Sequence, residues 1–345
     1  MNVLMIGMGM VAQTHLLALR DSAVSLRLGV VLGRDMDRVA AFCDVAQGIL
    51  GYPVSGFTTL SDAAATQPDM AIVLTPPNAR LTYAQDLAQA GIPTLMEKPV
   101  ERTLEDARAI VEIFERAKVP LGLCFQHRTR AAAVNLKERL GRGDLGDVVH
   151  VEMRVPWWRG QDYYDAPGRG SYARDGGGVM INQAIHTLDL ALWLLGPVTR
   201  VQAMMRTSPL HRMEAEDIAA ALMEFASGAT GVLSATTATY PGDAESIAIT
   251  TANAQVTLQG DHLSIHWHDG RTETTAPDDA GGTGGGADPM AFTHAWHQAV
   301  IEDFARSVQV RRLPLAPGRE ALHVHAVIHA MEQAARSGTL AEVSL

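Results

Sequence analysis

Along the first third of the chain, short unbroken apolar runs alternate with stretches of helical spacing. The runs fall at residues 3–6, 28–32, 70–74, 94–96 and 121–125. Each is too short for a buried helix and lacks the polar alternation of a strand with one wet face, so each predicts a strand covered on both sides. Between them, Leu16, Leu17 and Leu19, a segment over 80–90 closed by Gly91, and a segment from a Thr103 cap to about Ala117 predict helices. Strand then helix, repeated, is the pattern of a doubly wound parallel sheet in an α/β fold, finishing near residue 121.

The rest of the chain has another rhythm. A polar helix over 131–140 leads into residues 150–155, where Val151, Met153 and Val155 alternate with His150, Glu152 and Arg154. That alternation marks a sheet with one covered face. Strands follow at 198–205, 218–225, 230–238, 246–251, 255–259 and 263–267, bounded by turns such as Ser227-Gly228 and Gly260-Asp261. The glycine-rich stretch from Ala280 to Ala287 is expected to be mobile, and two helices over about 291–308 and 319–335 close the chain. The expectation is a doubly wound domain of the Rossmann type over 1–121 and an α+β domain over 122–345 built on a large, open, mainly antiparallel sheet.

Composition narrows the function classes. A chain of 345 residues suits two domains, and 47% hydrophobic with 19% charged residues is ordinary for a soluble enzyme. The formal charge of −10 leaves no basic stripe for a nucleic acid. Cys43 and Cys124 are far apart and form no CxxC, which fits a reducing compartment and predicts no metal cluster. His266 and His268 share a strand face but lack a third ligand. The start of the chain lacks the basic and long apolar pattern of a signal peptide, and no stretch has the length of a membrane span. A cytoplasmic protein with no membrane partner is expected.

The chemistry collects at the ends of the predicted strands. After residues 3–6 comes Gly7-Met8-Gly9-Met10-Val11-Ala12 and then a helix, the order in which a pyrophosphate sits on backbone N–H groups at a helix N-terminus. Gly7 would make the turn, Gly9 would admit the phosphates, and Ala12 would allow close packing. The second strand ends in Gly33-Arg34, where an NAD site usually has a carboxylate for the ribose. Arg34 favours NADP(H) over NAD(H), although Asp35 and Asp37 lie close enough for a small shift to restore a carboxylate, and Arg34 facing solvent is the alternative. Thr75-Pro76-Pro77 makes a rigid turn at the end of another strand. Then Met96-Glu97-Lys98-Pro99 sets an amine beside a proline. Lysine occurs only at 98, 118 and 137, so its use here departs from a strong preference for arginine. An amine can give and take a proton where a guanidinium cannot. A surface lysine capping the strand end is the alternative reading.

In the second part, Trp157, Trp158, Arg159, Tyr163 and Tyr164, with Arg169 and Arg174 following, form an aromatic, arginine-rich loop. Such a loop suits a carbohydrate or anionic ligand, and it also suits a dimer interface. Gly176-Gly177-Gly178 then lets backbone approach a ligand, and Asn182 and His186 stand four apart where a helix begins, with Asp189 three further on. His186 is an acid/base candidate. For His294 and His297, one turn apart, packing is the favoured role and substrate contact the minority one.

Gly7-x-Gly9-x-x-Ala12, Thr75-Pro76-Pro77 and Glu97-Lys98-Pro99, in this order and at these separations, resemble the glucose-fructose oxidoreductase, inositol dehydrogenase and rhizopine catabolism (Gfo/Idh/MocA) family over essentially the whole chain. The resemblance implies an NAD(P)-dependent dehydrogenase moving hydride between the nicotinamide and a secondary alcohol of a sugar, sugar acid or sugar nucleotide, with Lys98 and His186 catalytic. It implies cofactor contacts from Gly7, Gly9, Met10, Val11, Ala12, Gly33, Arg34, Thr75, Pro76, Pro77, Glu97, Lys98 and Gln126. It implies substrate contacts from Lys98, Trp157, Arg159, Tyr163, Arg169, Asn182 and His186, no metal, and a homodimer or homotetramer through the open sheet. Many members carry aspartate at position 182 and histidine at position 80, where this chain has Asn182 and Arg80. The form Asp175-Gly176-Gly177-Gly178-x-x-x-Asn182-Gln183-x-x-His186, after the tryptophans, looks most like the branch acting on nucleotide-linked sugar uronates. A free-sugar or inositol dehydrogenase and a non-catalytic cofactor-binding sensor are the alternatives.

Overall fold

A computed structural model describes residues 1–276 and 282–345; Ala280 and Gly281 of the expected glycine-rich segment lie outside the described residues. The chain divides into two compact units. The first holds six parallel strands: β1 (Asn2–Ile6), β2 (Arg27–Leu32), β3 (Ser55–Phe57), β4 (Met70–Val73), β5 (Thr94–Glu97) and β6 (Leu121–Cys124). Their order is β3-β2-β1-β4-β5-β6. The connection reverses direction between β1 and β4, which opens the crevice where ligands of such sheets bind. Helices α1 (Ala12–Arg20), α2 (Met36–Leu50), α3 (Leu60–Ala64), α4 (Arg80–Gln89) and α5 (Leu104–Ala117) make the crossovers. Strands β1, β4, β5 and β6 are almost wholly buried, as their unbroken apolar runs require.

The second unit is built on nine strands among the described residues: β7 (Val148–Pro156), β8 (Val198–Arg206), β9 (Ile218–Phe225), β10 (Thr230–Thr236), β11 (Ser246–Thr251), β12 (Ala254–Gln259), β13 (His262–Trp267), β14 (Thr272–Thr275) and β15 (Ala341–Glu342). They lie in the order β14-β13-β12-β11-β7-β10-β9-β8-β15, antiparallel except for the β7–β10 pair. Val151, Met153 and Val155 are buried while His150, Glu152 and Arg154 are not, as the alternation predicts. Helices α6 (Ala131–Arg142), α7 (Gln161–Asp165) and α8 (Ile185–Leu195) follow β6 in the chain, and α8 packs against β7 and β11. The uncovered side of the sheet exposes Met204 and Leu222, each about 60% accessible, together with Ile218.

Residues 294–321 depart from the single boundary expected at residue 121. They carry α9 (Ala295–Val310) and the start of α10 (Gly318–Ser337), and they belong to the first unit. The reason is hydrophobic: Val300, Ile301, Phe304 and Ala305 share one core with Leu16, Leu19, Leu95 and Cys124. Gly122 of β6 leaves room for the Phe304 ring, since a Cβ there would stand 2.7 Å from it. Phe304→Ala is expected to cost about 3–5 kcal/mol through the cavity it leaves. A urea melt that lowers the first unit's stability by that amount supports this assignment, and a loss below about 1 kcal/mol contradicts it.

Candidate active site

In the first unit, the glycine loop links β1 to α1. Gly7 has φ +97°, and a Cβ there would stand 3.0 Å from the Thr75 nitrogen, so the residue must be glycine for both conformation and space. Gly9 is exposed and has open space where a side chain would be, its nearest neighbour being the Leu74 oxygen at 3.8 Å. No side chain caps the N-terminus of α1, and its first turn has no acidic residue. The Thr75 hydroxyl is buried and has no hydrogen-bond partner among the described residues. Amides at an uncapped helix end, a side-chain-free approach and an orphaned hydroxyl at the β4 end fit a dinucleotide. Gly33 has a further reason: a Cβ would stand 2.4 Å from Met8 and 2.7 Å from Val39. Arg34 is exposed, and Asp35 accepts from the Arg38 amide as the N-cap of α2.

The end of β5 is held by buried ions. Glu97, expected against the cofactor, has its carboxylate turned inward: His15 Nε2 donates to Oε1 at 2.8 Å, and the Lys98 amide donates to Oε2 at 3.2 Å. Burial alone would push this carboxyl up, but the His15 hydrogen bond and the neighbouring charge of Lys98 hold it below the usual carboxylate range. His297 stands edge-on to His15 at 5.3 Å and is pushed down to about 3 by burial. Donor atoms of His15, Glu97, Cys124 and His297 lie within 4.8 Å of one another, a spacing that a metal ion could also use. Yet His15 Nδ1 has no hydrogen-bond partner among the described residues, whereas a metal-bound imidazole is oriented by a bond at its second nitrogen. The group is therefore read as a hydrogen-bonded network around an ionised carboxylate.

In the second unit, the triple glycine threads against the residues before β9. A Cβ on Gly178 would stand 1.7 Å from the Glu216 carbonyl oxygen, so no side chain fits. The Glu216 carboxyl accepts from the Gly178 amide at 3.0 Å and the Met180 amide at 3.1 Å, and the Asn182 amide group donates to the Gly177 and Gly178 carbonyls. One π-helical turn, Met180–Ala184, then feeds α8, which places His186 in its first turn. His186 is buried and stacks on His127 at 4.8 Å with 26° between the rings. His127 accepts from Arg130, since arginine can only donate, and Arg130 also holds Glu245, which takes the Trp157 indole N–H. Arg128 grips Asp189 with two bonds, 2.9 and 2.7 Å long, both side chains being buried.

Two family models match the chain: an oxidoreductase family with an NAD-binding Rossmann fold over residues 1–125, and the GFO/IDH/MocA C-terminal domain over residues 133–266. The chain belongs to the Gfo/Idh/MocA family. It is a nicotinamide-dependent oxidoreductase of the kind that acts on CH–OH groups. Over 98% of its length it is 28% identical to a D-apiose dehydrogenase of Paraburkholderia graminis, covering 88% of that protein. Among solved structures it resembles the WlbA dehydrogenases of Chromobacterium violaceum (28% identity, TM-score 0.84) and Bordetella pertussis (28% identity, TM-score 0.82). Each match covers all of this chain, with 96% and 99% of the respective neighbour, and both neighbours were crystallised with NADH and UDP-GlcNAcA.

Within this oxidoreductase the aromatic loop divides into two kinds of residue. Trp157 is buried on Glu245. Arg159 is 3% exposed and donates to the carbonyls of Trp158, Gly284 and Gly286, so its fork fastens backbone. Tyr163 and Arg169 are only half-buried; the Arg169 guanidinium lies 5.0 Å from the Tyr163 ring, and Gln183 reaches the Tyr163 hydroxyl at 3.5 Å. Met10 is 52% exposed beside the glycine loop, Val11 precedes α1, Pro76 is exposed, Pro77 is buried, and Gln126 is buried just after β6. Sequence reasoning passed over His15, because nothing in the spacing of its helix points to a partner 82 residues away. It also passed over Glu216, whose place at the glycines depends on chain folded back from 38 residues beyond Gly178.

Burial raises Glu216 to about 7, against the pull of the two amides. A carboxyl raised in the folded state binds more protons folded than unfolded, so stability falls as pH rises from about 4.5 to about 7. Glu216→Gln cannot titrate and is expected to flatten that part of the profile. Urea denaturation of both proteins at pH 5 and pH 7.5 checks this, and equal slopes would contradict it.

Proposed function

We propose that this oxidoreductase oxidises a secondary alcohol on the sugar of a nucleotide-linked sugar uronate. The observation that carries the reading is the full-length likeness to the WlbA dehydrogenases, whose crystal structures hold NADH and UDP-GlcNAcA. The sequence from Asp175 to His186 is consistent with it. When bound, the nicotinamide supplies the hydride acceptor. Lys98 hydrogen-bonds the reacting oxygen, and His186 takes the hydroxyl proton, with Lys98 the alternative base. Asn182 donates to the glycine carbonyls and so shapes the loop that receives substrate. Arg169 and Tyr163, half-buried and stacked, offer a cation and a ring face to an acidic sugar. The protein assembles through the open sheet, where Met204 and Leu222 are apolar and accessible. No helix among the described residues is long and apolar enough to cross a membrane, and a cytoplasmic location is part of the same proposal.

Absorbance at 340 nm with UDP-GlcNAcA and NAD+ or NADP+ tests the substrate. Turnover that falls about 10²–10⁴-fold in Lys98→Met, with dinucleotide affinity kept, is the expected result. Oxidation of free sugars or inositol in place of UDP-GlcNAcA would favour the family's other activities, and cofactor binding without any turnover would favour a sensor.

The two ends of the cofactor question pull apart. NADH is the dinucleotide in both WlbA structures, whereas here the Asp35 carboxylate caps α2 and the exposed Arg34 stands at the end of β2. We therefore expect NADPH to bind at least as tightly as NADH, and Arg34→Asp to weaken NADPH by about tenfold or more while sparing NADH. Calorimetric titrations in which Arg34→Asp leaves both affinities unchanged would show that Arg34 does not face the ribose.

A further inference from the structure

Arg80, at the start of α4, is 2% exposed. Its Nε and Nη2 donate to the Thr75 carbonyl at 3.0 and 2.9 Å, and its Nη1 donates to the carbonyls of Glu97 and Pro99. One planar fork thus ties the turn after β4 to the turn after β5. The two oxygens bound at Nη1 belong to the residues on either side of Lys98. Burial brings the guanidinium down only to about 10, so it remains charged at neutral pH. A charged donor makes bonds roughly twice as strong as neutral ones, and here they are made in a dry interior. Glu97 completes the arrangement through the Lys98 amide. Lys98 therefore stands on backbone whose N–H and flanking carbonyls are fixed by two buried side chains of opposite charge.

We propose that Arg80 is a positioning residue for the reaction: by holding the carbonyls of Glu97 and Pro99 it sets where the Lys98 amine stands. This rests on Lys98 being the catalytic amine, and it deepens that reading by naming the side chain that makes the amine's position reproducible. Displacing a catalytic group by about 1 Å can cost about a hundredfold in rate, so a residue that touches no substrate can still control turnover.

Lysine occurs at only three positions, which gives a direct readout. Protein labelled with ¹³C at lysine Cε should give three resonances, and Lys98→Met assigns that of Lys98. Lys118 in the first unit, and Lys137 in the second, which donates to the Trp193 carbonyl, act as internal controls. In Arg80→Gln, the Lys98 resonance is expected to move and to titrate at a different pH while the two controls stay in place. Arg80→Lys keeps a charge but no fork and should give a smaller change of the same kind, and it serves alone if Arg80→Gln does not fold. With UDP-GlcNAcA as substrate, kcat should fall about ten- to a hundredfold in Arg80→Gln with KM for the dinucleotide nearly unchanged. The deuterium isotope effect on kcat should rise, because a misplaced amine slows the chemical step, whereas loss of folded protein leaves that ratio alone. A folded variant with an unmoved Lys98 resonance overturns the proposal. Absence of UDP-GlcNAcA turnover in the unmutated protein counts against the substrate reading only, since the lysine resonance is read without turnover.

Discussion

The first unit depends on one electrostatic constraint: a carboxylate ionised in a dry interior at the end of β5. Removing an unpaired carboxylate from water costs several kcal/mol, so Glu97 can remain charged only if the fold surrounds it with donors. His15 supplies one from α1, which places the helix behind the glycine loop in register with the strand that carries Lys98. The Lys98 amide supplies the second. The helix α9 that the apolar contacts of Phe304 hold in this unit also sets the His297 ring edge-on to His15, so core and network share one element.

The second unit uses the same device with other residues. Arg128 on Asp189, Arg130 on Glu245 and His127, and Arg159 on loop carbonyls are buried guanidinium groups that fasten the protein's own acceptors. Arginine is also the prevailing basic residue of the chain. Of 28 basic residues only three are lysines, which leaves 28 − 3 = 25 arginines. Arginine is less strongly hydrated and keeps its charge when buried, so a protein that holds its loops with interior cations favours it. Lysine at position 98 stands out against that background, and the proposed reaction gives a reason: proton exchange, unlike fastening, needs an amine.

Much of this was legible before any coordinates. The apolar runs of β1, β4, β5 and β6 fixed the parallel sheet because strands covered on both faces admit few polar residues. The alternation of β7 revealed a one-sided sheet for the converse reason. Short edge strands such as β3, β14 and β15 left too little pattern to recognise. Partnerships made across long stretches of chain were hidden. Glu97 pairs with His15, 82 residues away, and Arg159 with Gly284, 125 residues away. Sequence spacing carries no trace of either, so Glu97 was expected on the cofactor and Arg159 on the substrate, whereas both side chains are turned to the protein's own groups. Arg80 shows the same limit from the other side. Its departure from the family's histidine was visible, and its purpose became clear only when three carbonyls were seen around it.

In the proposed reaction Lys98 presents an amine to the reacting carbon from a rigid platform. A crystal structure of the protein with NADH and UDP-GlcNAcA tests it most directly. The Lys98 nitrogen is expected within about 2.6–3.2 Å of the oxygen on the carbon that faces the nicotinamide. A complex in which the Lys98 amine lies in solvent, with another side chain at that oxygen, would contradict it.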